Sequence, residues 1–380
     1  MIDGDILAKL PSPAWLLEES LLDKNIDILE SLQQKSGAKI LLALKGYALW
    51  RSFATIRDRL QGCCASGLLE AKLASEEFGG EVHTYSPAFK DSEIDEIATI
   101  SHHIVFNSPS QFQKYAKRVK DINPKLSLGL RINPESSHSP VEMYNPCGLY
   151  SRLGTTIDNF DRSILDSCDG FHFHALCEES ADALEGVLDI FEEKFGEYLY
   201  ALKWINFGGG HHITKEGYDI EKLISLIERF RERYQVEIYL EPGEAVGWKT
   251  GTLIATVLDI VHNGIDIAIL DISAEAHMPD TIIMPYRAEV RGASEMGLKR
   301  YGYRLSGNSC LAGDVMGDYS FDEPLKVGDR VIFEDQMHYT MVKATTFNGI
   351  KLPSICILKR DNSIEVVREF GYEEFRDRLS

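Results

Sequence analysis

The stretch Lys39-Ile-Leu-Leu-Ala-Leu-Lys45, followed by Gly46-Tyr47-Ala48, has the pattern of a buried strand that ends on a lysine. An amine at the mouth of an apolar strand loses hydration, which lowers its pKa and makes it nucleophilic toward a carbonyl carbon. Lysines at strand ends are more often simply solvated. The case for Lys45 as a Schiff-base lysine therefore depends on what recurs further along the chain.

The same alternation of a short apolar strand and an amphipathic helix continues through residues 38–242. Eight candidate strands end near Lys45, Ser66, Tyr85, Asn107, Arg131, His174, Gly208 and Glu241. Helical patterns cover residues 21–35, 68–78, 178–195 and 220–234. Eight strands that alternate with helices predict a (β/α)8 barrel, the TIM-barrel fold.

The ends of these candidate strands carry reactive and polar residues. They read Lys45, Cys64-Ala65-Ser66, Arg131-Ile132-Asn133, His174, Gly208-Gly209-Gly210 and Glu241-Pro242-Gly243. The chemistry of such barrels lies at the carboxyl ends of the strands. Chance would place one or two such ends on this face, so six of them indicate a functional site.

Beyond about residue 250 the pattern changes to short antiparallel strands. They are predicted over residues 252–260, 265–272, 281–290, 329–333, 354–359 and 364–367, before a helix over 372–379. The segment 13–17 is expected to add a strand to this part of the chain. We therefore expect a barrel over residues 18–249, and a β-sandwich or β-barrel domain formed by residues 1–17 and 250–380.

The composition limits the partners of the protein. The chain has 380 residues and a net charge of −19, which argues against nucleic acid and anionic membranes as partners. A cationic substrate is compatible with this charge, and so is plain solubility. The acidic amino terminus lacks a signal-peptide pattern, and the seven cysteines lack metal-ligand spacing. We expect a cytoplasmic protein with free thiols and no metal.

Each polar strand end has an ordinary explanation and a functional one. The glycines at 208–210 either cradle a phosphate or serve a loop that needs positive φ. Glu241 either pairs with a protonated heteroaromatic nitrogen or is a solvated or capping residue. His174 either stacks on an aromatic cofactor or belongs to the core, and Arg131 either binds an anion or forms a salt bridge. Taken together with the amine of Lys45, the functional readings describe pyridoxal 5′-phosphate.

A set of motifs along the chain resembles one family. They are Ala43-Leu-Lys45, Ala65-Ser66 with Glu70, Leu130-Arg-Ile132, Phe173-His174, Gly208-Gly-Gly210, Glu241-Pro-Gly243, Gly307-Asn-Ser-Cys310 with Gly313-Asp314, Tyr339-Thr340 and Phe347-Asn348. Their kind and order are similar to those of the fold type III pyridoxal-phosphate decarboxylases, which act on ornithine, arginine and diaminopimelate. The resemblance implies an alanine racemase-like barrel followed by a β domain.

The resemblance also implies roles for individual residues. Lys45 would carry the cofactor, His174 would stack on its ring and Glu241 would contact the ring nitrogen. Further cofactor contacts are implied for Ser66, Arg131, Cys177 (where the family has a serine), Gly208, Gly209, Gly210 and Tyr339. Cys310, as a second catalytic residue, and Asp314 would reach the site from the partner subunit of a homodimer.

Two departures from the family pattern concern the substrate. Glu244 follows Glu241-Pro-Gly243 where most members have arginine, and Leu311 follows Cys310 where an acidic residue is frequent. An anion in place of arginine disfavours a substrate that ends in a second carboxylate and favours a cationic tail. The motifs 172–178, 241–245 and 271–280 resemble the branch that decarboxylates carboxylated polyamines.

By that resemblance Glu244 and Asp280 are the expected ligands of the substrate's amines, together with Asp314. Asp280, which follows Pro279, is equally explained as a turn residue. The alternatives are a decarboxylase of ornithine, lysine or arginine, a non-enzymatic cofactor-binding or regulatory protein, and a racemase of the same fold.

Overall fold

The computed structural model describes residues 4–137, 139, 142–284 and 286–380. Contacts divide the chain into two units. The barrel unit is Lys24–Val246, and the β-rich unit combines Met1–Asp23 with Gly247–Ser380. The domain limits at residues 18 and 249 inferred from the sequence remain a prediction.

The barrel unit is built around eight parallel strands that close on themselves, as the sequence predicted. Strand β1 (Ala14–Glu18) precedes them in the chain. The barrel strands are β2 (Lys39–Ala43), β3 (Gly62–Ala65), β4 (Glu81–Tyr85), β5 (His103–Phe106), β6 (Ser127–Arg131), β7 (Gly170–His172), β8 (Trp204–Asn206) and β9 (Glu237–Leu240). Pairing of β9 with β2 closes the barrel, so all eight carboxyl ends lie at one mouth.

Helices precede, connect and follow the barrel strands. They are Glu19–Ser36, Phe53–Ile56, Leu68–Leu73, Ile94–Ile100, Pro109–Ile122, Ala181–Leu199, Ile220–Tyr234 and Glu244–Gly247, with 3₁₀ turns at Trp50–Ser52, Glu142–Tyr144, Ile157–Asn159 and Arg162–Ile164 and a π turn at Ala74–Phe78. Ser180 caps the helix predicted from residue 178, because its hydroxyl accepts a hydrogen bond from the Ala183 N–H. That helix therefore begins at Ala181.

Aromatic side chains fill part of the barrel interior. Leu41, Val105, Trp204 and Tyr239 form one buried cluster. The Trp204 indole lies against β7, where a Cβ atom at Gly170 would come within 2.1 Å of its ring. Glycine in β7 therefore makes room for the indole, and the packed interior supports the strand ends above it.

Within the described residues, the β-rich unit contains a mixed sheet of nine strands. Besides β1 these are β10 (Gly251–His262), β11 (Asp266–Leu270), β12 (Ser294–Glu295), β13 (Tyr301–Ser306), β14 (Val315–Phe321), β15 (Arg330–Glu334), β16 (Ser354–Leu358) and β17 (Ile364–Arg368). The order is β12-β14-β13-β11-β10-β1-β16-β17, and β15 pairs with β10. Short helices are Gly4–Lys9, Ala274–His277, Asp280–Ile283, Tyr339–Val342 and Tyr372–Asp377, with a 3₁₀ turn at Phe347–Gly349.

The amino-terminal strand is central to this sheet. β1 pairs antiparallel with β10 and parallel with β16, which confirms the strand expected over residues 13–17. All of β1 except its last residue is buried. The β-rich unit is therefore assembled from both ends of the chain.

The strand predicted over residues 281–290 is wrong. Thr281 lies in the helix Asp280–Ile283, and its hydroxyl donates to the Met278 carbonyl at 2.7 Å. Pro279 starts this helical turn in place of a strand. β12, β13 and β14 were not predicted, because glycines and polar residues interrupt their apolar alternation.

Among the described residues, none of the helices combines the length and apolar character needed to cross a bilayer.

Candidate active site

The carboxyl ends of the barrel strands form a cavity of about 430 Å³. Lys45, Arg131 and His174 line it, so the structure brings together three of the predicted site residues. The rest of the lining comes from residues 142–146 and 148–153, which lie in the connection between β6 and β7. No sequence pattern singled out this connection.

Lys45 follows β2 in a tight turn. The N–H groups of Gly46 and Tyr47 both donate to the Ala43 carbonyl, at 3.0 and 3.2 Å. The Lys45 side chain is exposed at the open mouth, but the surrounding protein is dense enough that burial lowers its pKa, and the Arg131 charge lowers it further. Cys64 and Glu241 act in the opposite direction. A lysine with a lowered pKa is more often in its nucleophilic, neutral form.

Glu241 follows β9 and is fixed through both carboxylate oxygens. Its Oε2 atom lies 3.2 Å from Nε2 of His172, and Oε1 accepts from Nδ2 of Asn206 at 2.7 Å. Burial by itself would raise the pKa of Glu241, but His172 and Asn206 outweigh it and bring the pKa to about 2. The group is therefore an anion at neutral pH, and a buried anion favours a cationic partner such as a protonated ring nitrogen.

His174 presents a neutral, fixed ring beside Lys45. Its Nδ1 atom accepts the Gly209 N–H at 2.9 Å. Burial lowers the pKa of His174 far below its usual value, and the nearby charges of Lys45 and Arg131 add to this. A neutral planar ring held in this way can stack on another aromatic ring.

Arg131 is held at the end of β6 by two contacts. Its guanidinium carbon lies 4.6 Å from the centroid of the Tyr85 ring, and Nη2 donates to the His174 carbonyl at 3.4 Å. The Tyr85 hydroxyl in turn donates to Oδ1 of Asn107 at 2.8 Å. A planar cation at the cavity wall suits an anionic oxygen of a ligand.

Glycine is required at the three positions after β8, because neighbouring backbone atoms lie too close for a side chain. A Cβ atom at Gly208 would lie 2.3 Å from the Phe173 carbonyl oxygen, and one at Gly210 would lie 2.0 Å from that of Leu176. Both glycines have positive φ, +71° and +83°. The Gly208 N–H donates to Asn206 and the Gly209 N–H to His174, and the phosphate contacts expected for residues 208–210 remain a prediction.

An acidic group lies next to these residues. Burial raises the pKa of Cys177 to about 11, and Glu178 and Glu244 raise it further, while Lys45 acts against them. Glu178, His212 and Glu244 form a group in which a side-chain oxygen or nitrogen of each residue lies within 4.8 Å of those of the other two. The Nε2 atom of His212 is 3.8 Å from Oε1 of Glu244. The two carboxylates make this part of the barrel mouth attractive to a cation.

Ser66, the remaining predicted residue of the barrel unit, is exposed after β3. Its backbone N–H donates to Oε2 of Glu70 at 2.6 Å. Its contact with a cofactor remains a prediction.

Cys310 and Asp314 lie in one loop of the β-rich unit. Cys310 is exposed, and its N–H donates to Oδ1 of Asn348 at 2.6 Å. Asp314 is buried and accepts the N–H groups of Ala274 and Ser309, at 2.6 and 3.0 Å. The Asp314 carboxylate thus holds the loop that presents Cys310, and its proposed contact with a substrate remains a prediction.

Asp280 and Tyr339 also lie in the β-rich unit. Lys343 donates to both oxygens of Asp280, at 2.7 and 2.9 Å. The same ammonium lies 5.5 Å from the centroid of the Tyr339 ring. The structure therefore brings Asp280 and Tyr339 together around Lys343, and their substrate and cofactor roles remain predictions.

The sequence reading missed the residues that hold Glu241. His172 and Asn206 each precede a predicted site residue, His174 and Gly208, by two positions. Residues two apart in a strand point to the same face. The two-residue periodicity of each strand would therefore have placed the side chains of His172 and Asn206 inside the barrel.

These features fit pyridoxal phosphate. The site offers an amine with a lowered pKa, an anionic carboxylate, a neutral flat ring and a glycine turn with close backbone packing. The barrel, the separate sheet and this site together have the features of a barrel-type enzyme that uses pyridoxal phosphate.

Comparison with known proteins agrees. The family model described as the pyridoxal-dependent decarboxylase C-terminal sheet domain matches residues 27–336. The chain belongs to this family of decarboxylases and is a carboxy-lyase.

Two relatives are similar over nearly their whole length. The carboxynorspermidine/carboxyspermidine decarboxylase of Campylobacter jejuni is 55% identical over 97% of this chain and 98% of its own. The carboxyaminopropylagmatine decarboxylase of Synechocystis is 47% identical over 100% of this chain and 98% of its own.

Solved structures show the same fold. Carboxynorspermidine decarboxylase of Campylobacter jejuni complexed with norspermidine has a TM-score of 0.91 and 53% identity, covering 97% of this chain and 100% of that chain. Diaminopimelate decarboxylase of Helicobacter pylori, with a TM-score of 0.79 and 16% identity over 99% of this chain and 98% of that chain, shares the fold.

Proposed function

We propose that this protein decarboxylates carboxynorspermidine and carboxyspermidine, which releases carbon dioxide and norspermidine or spermidine. The observation that carries this substrate class is the pair of carboxylates, Glu178 and Glu244, around His212 at the barrel mouth. Glu244 stands where the family pattern has arginine, so a site for an anion has become a site for a cation. The similarity to the polyamine enzyme of Campylobacter jejuni supports the same conclusion.

The donor and acceptor chemistry of the acidic group suits an ammonium. An ammonium donates up to three hydrogen bonds, and carboxylate oxygens and an imidazole nitrogen can accept them. The ligand atoms of Glu178, His212 and Glu244 lie within 4.8 Å of one another. We infer that this group binds an amine of the substrate's tail.

The barrel residues would hold pyridoxal 5′-phosphate, which supplies an electron sink for the electron pair left when carbon dioxide departs. Lys45 would be the covalent attachment point, and Glu241 would keep a proton on the ring nitrogen. His174 would lie against the ring, and Arg131 would bind an anionic oxygen. Gly210, with the loop around it, would donate to the phosphate.

The proton that replaces the carboxylate must come from a nearby acid. Cys310 is the candidate, on a loop held by Asp314 and Asn348. In this proposal the loop belongs to the partner subunit of a homodimer, so that each active site needs two chains.

A second candidate substrate is carboxyaminopropylagmatine, favoured by the 47% identity to the Synechocystis enzyme. Its tail is also cationic but ends in a planar guanidinium. Glu178 and Glu244 would serve either tail, so electrostatics alone does not separate the two substrates.

Product analysis tests the proposal. The purified enzyme with added pyridoxal 5′-phosphate is given carboxynorspermidine, carboxyspermidine, carboxyaminopropylagmatine, ornithine, lysine, arginine and diaminopimelate separately, and the amine products are quantified. We expect the highest kcat/KM for the first two. A higher kcat/KM for carboxyaminopropylagmatine would replace them with the second candidate, and a preference for a simple amino acid would overturn both.

A further inference from the structure

A second cluster of side chains lies at the opposite, amino-terminal end of the barrel. His83 of β4 and His103 of β5 are direct partners in the parallel register of these strands. Their rings stack with 3.7 Å between centroids and 16° between planes. Glu81, two residues before His83 on β4, points to the same side and places Oε2 2.9 Å from Nε2 of His83.

The hydrogen bonding of this cluster is incomplete. His83 and His103 are 2% and 9% exposed. Within the part of the chain that the structure describes, Nδ1 of each ring has no hydrogen-bond partner. Buried imidazole nitrogens usually have one, and each exception calls for an explanation.

The protonation states match the needs of a metal ligand. Burial lowers the pKa of His83 and brings that of His103 to about 2, so both rings are neutral at physiological pH. Burial alone would raise the pKa of Glu81, but the hydrogen bond from His83 and nearby positive charge bring it to about 2. Two neutral imidazoles and one carboxylate are a donor set that zinc and similar dications prefer.

The carboxylate is also oriented by its neighbours. Gln61 donates to Oε1 of Glu81 at 2.8 Å, and the Tyr239 hydroxyl donates to Oε2 at 3.2 Å. Such outer contacts hold metal ligands in place. Lys39 is the nearby cation, 3.8 Å from Glu81, and Glu237 at 3.0 Å offsets its charge.

We propose that Glu81, His83 and His103 bind one transition-metal dication of the zinc type. One ligand atom of each residue already lies within 4.8 Å of the others. Tetrahedral zinc needs about 3.3 Å, so the longest gap must close by up to about 1.5 Å. The two imidazoles would have to rotate out of their stack, against Tyr239 and Trp204, to close this gap. The metal would link β4 to β5 at the end of the barrel away from the chemistry, and its role would be structural.

Zinc binding by the holoenzyme tests the proposal. The protein is treated with a chelator, dialysed against micromolar Zn²⁺ and analysed for zinc per subunit, and its Tm is recorded with and without the metal. We expect a tightly bound zinc that raises the Tm, and at least a tenfold weaker affinity in His103→Gln. His212→Gln, in the acidic group at the other end of the barrel, is the matched control and should keep this zinc.

Glu81→Gln is a second variant that we expect to fold, because glutamine retains hydrogen bonds to His83 and Tyr239. If His103→Gln fails to fold in chelator, the same comparison is made with Glu81→Gln. The proposal is overturned if the wild type binds no zinc above background. It is also overturned if the folded Glu81 or His103 variant binds zinc as the wild type does, or if His212→Gln removes the metal.

Discussion

Glu241 Oε2 lies 3.2 Å from His172 Nε2, and this contact joins the ends of β9 and β7 inside the barrel. Asn206, on the strand between them, holds the other oxygen. Burial lowers the pKa of His172, so the imidazole donates as a neutral group. Two neutral donors thus stabilise the Glu241 anion without cancelling its charge. A carboxylate in this state is prepared to bind a cationic ring nitrogen.

Replacing this charge should slow the chemical step. In Glu241→Gln the amide keeps a similar shape but cannot stabilise a protonated ring nitrogen, so we expect kcat to fall on the order of 100-fold. Steady-state kinetics measure kcat, and the visible absorbance of the bound cofactor shows separately whether the variant still binds pyridoxal phosphate. Glu228→Gln, on an exposed helix surface, is the control. An unchanged kcat in Glu241→Gln would remove the assigned role.

Lys45→Ala should abolish activity and the visible absorbance band of the cofactor. The reason is that the amine with the burial-lowered pKa is the expected covalent attachment point. Absorbance spectra before and after addition of pyridoxal 5′-phosphate provide the measurement, with Lys39→Ala, at the start of the same strand, as the matched lysine control. A Lys45→Ala protein that keeps the wild-type spectrum would contradict the assignment.

Removing the charge of Glu244 should change substrate preference. A desolvated carboxylate–ammonium contact contributes roughly 1.5–3 kcal/mol, so Glu244→Gln should lower kcat/KM for the polyamine substrate by about tenfold to a hundredfold. The loss should be small for amino acids that lack the distal amine. Asp280→Asn is measured in parallel. If neither variant alters the ranking of substrates, Glu244 and Asp280 do not recognise the distal amines of the substrate.

Subunit mixing tests whether active sites are shared. Lys45 lies in the barrel unit and Cys310 in the β-rich unit. If each site takes Lys45 from one chain and Cys310 from the other, mixing inactive Lys45→Ala with Cys310→Ala should restore activity, because one hybrid site per dimer is intact. Each variant alone is the control. Absence of recovery despite verified subunit exchange would count against shared sites.

Acid should destabilise the protein through its buried histidines. The folded pKa of His103 is about 2 because of burial, whereas the unfolded residue titrates near 6.5. The unfolded state therefore binds the extra proton below pH 6.5, and the free energy of unfolding falls as the pH drops, by up to about 1.4 kcal/mol per pH unit from this group.

Urea unfolding of the chelator-treated protein at pH 7, 6 and 5, at one protein concentration, measures this slope. His103→Phe should make the dependence shallower, whereas His262→Gln, an exposed residue, should not. Equal slopes in His103→Phe and the wild type would show that His103 is not the titrating group.

The sequence predicted the barrel well because each βα unit carries its own local signal. Lys45, His174 and Glu241 each follow a barrel strand. These strands alternate with helices, and the apolar spacing and caps of a helix depend on residues close in sequence. The β-rich unit was harder. β13 pairs in parallel with β11, which is not its neighbour along the chain, and Pro279 started a helix where the apolar pattern suggested a strand.

By itself, the sequence determined which strand-end residues reach the barrel mouth, because parallel strands that close into a barrel bring all their carboxyl ends to one face. It therefore placed Lys45, His174 and Glu241 at this mouth without a structure. Only the tertiary structure decided their electrostatics. The pKa of Glu241 depends on His172 and Asn206, which come from other strands, and the Asp314 carboxylate is bound to backbone N–H groups. Desolvation and hydrogen bonding are set by what packs around a group in space, and strand periodicity does not encode those neighbours.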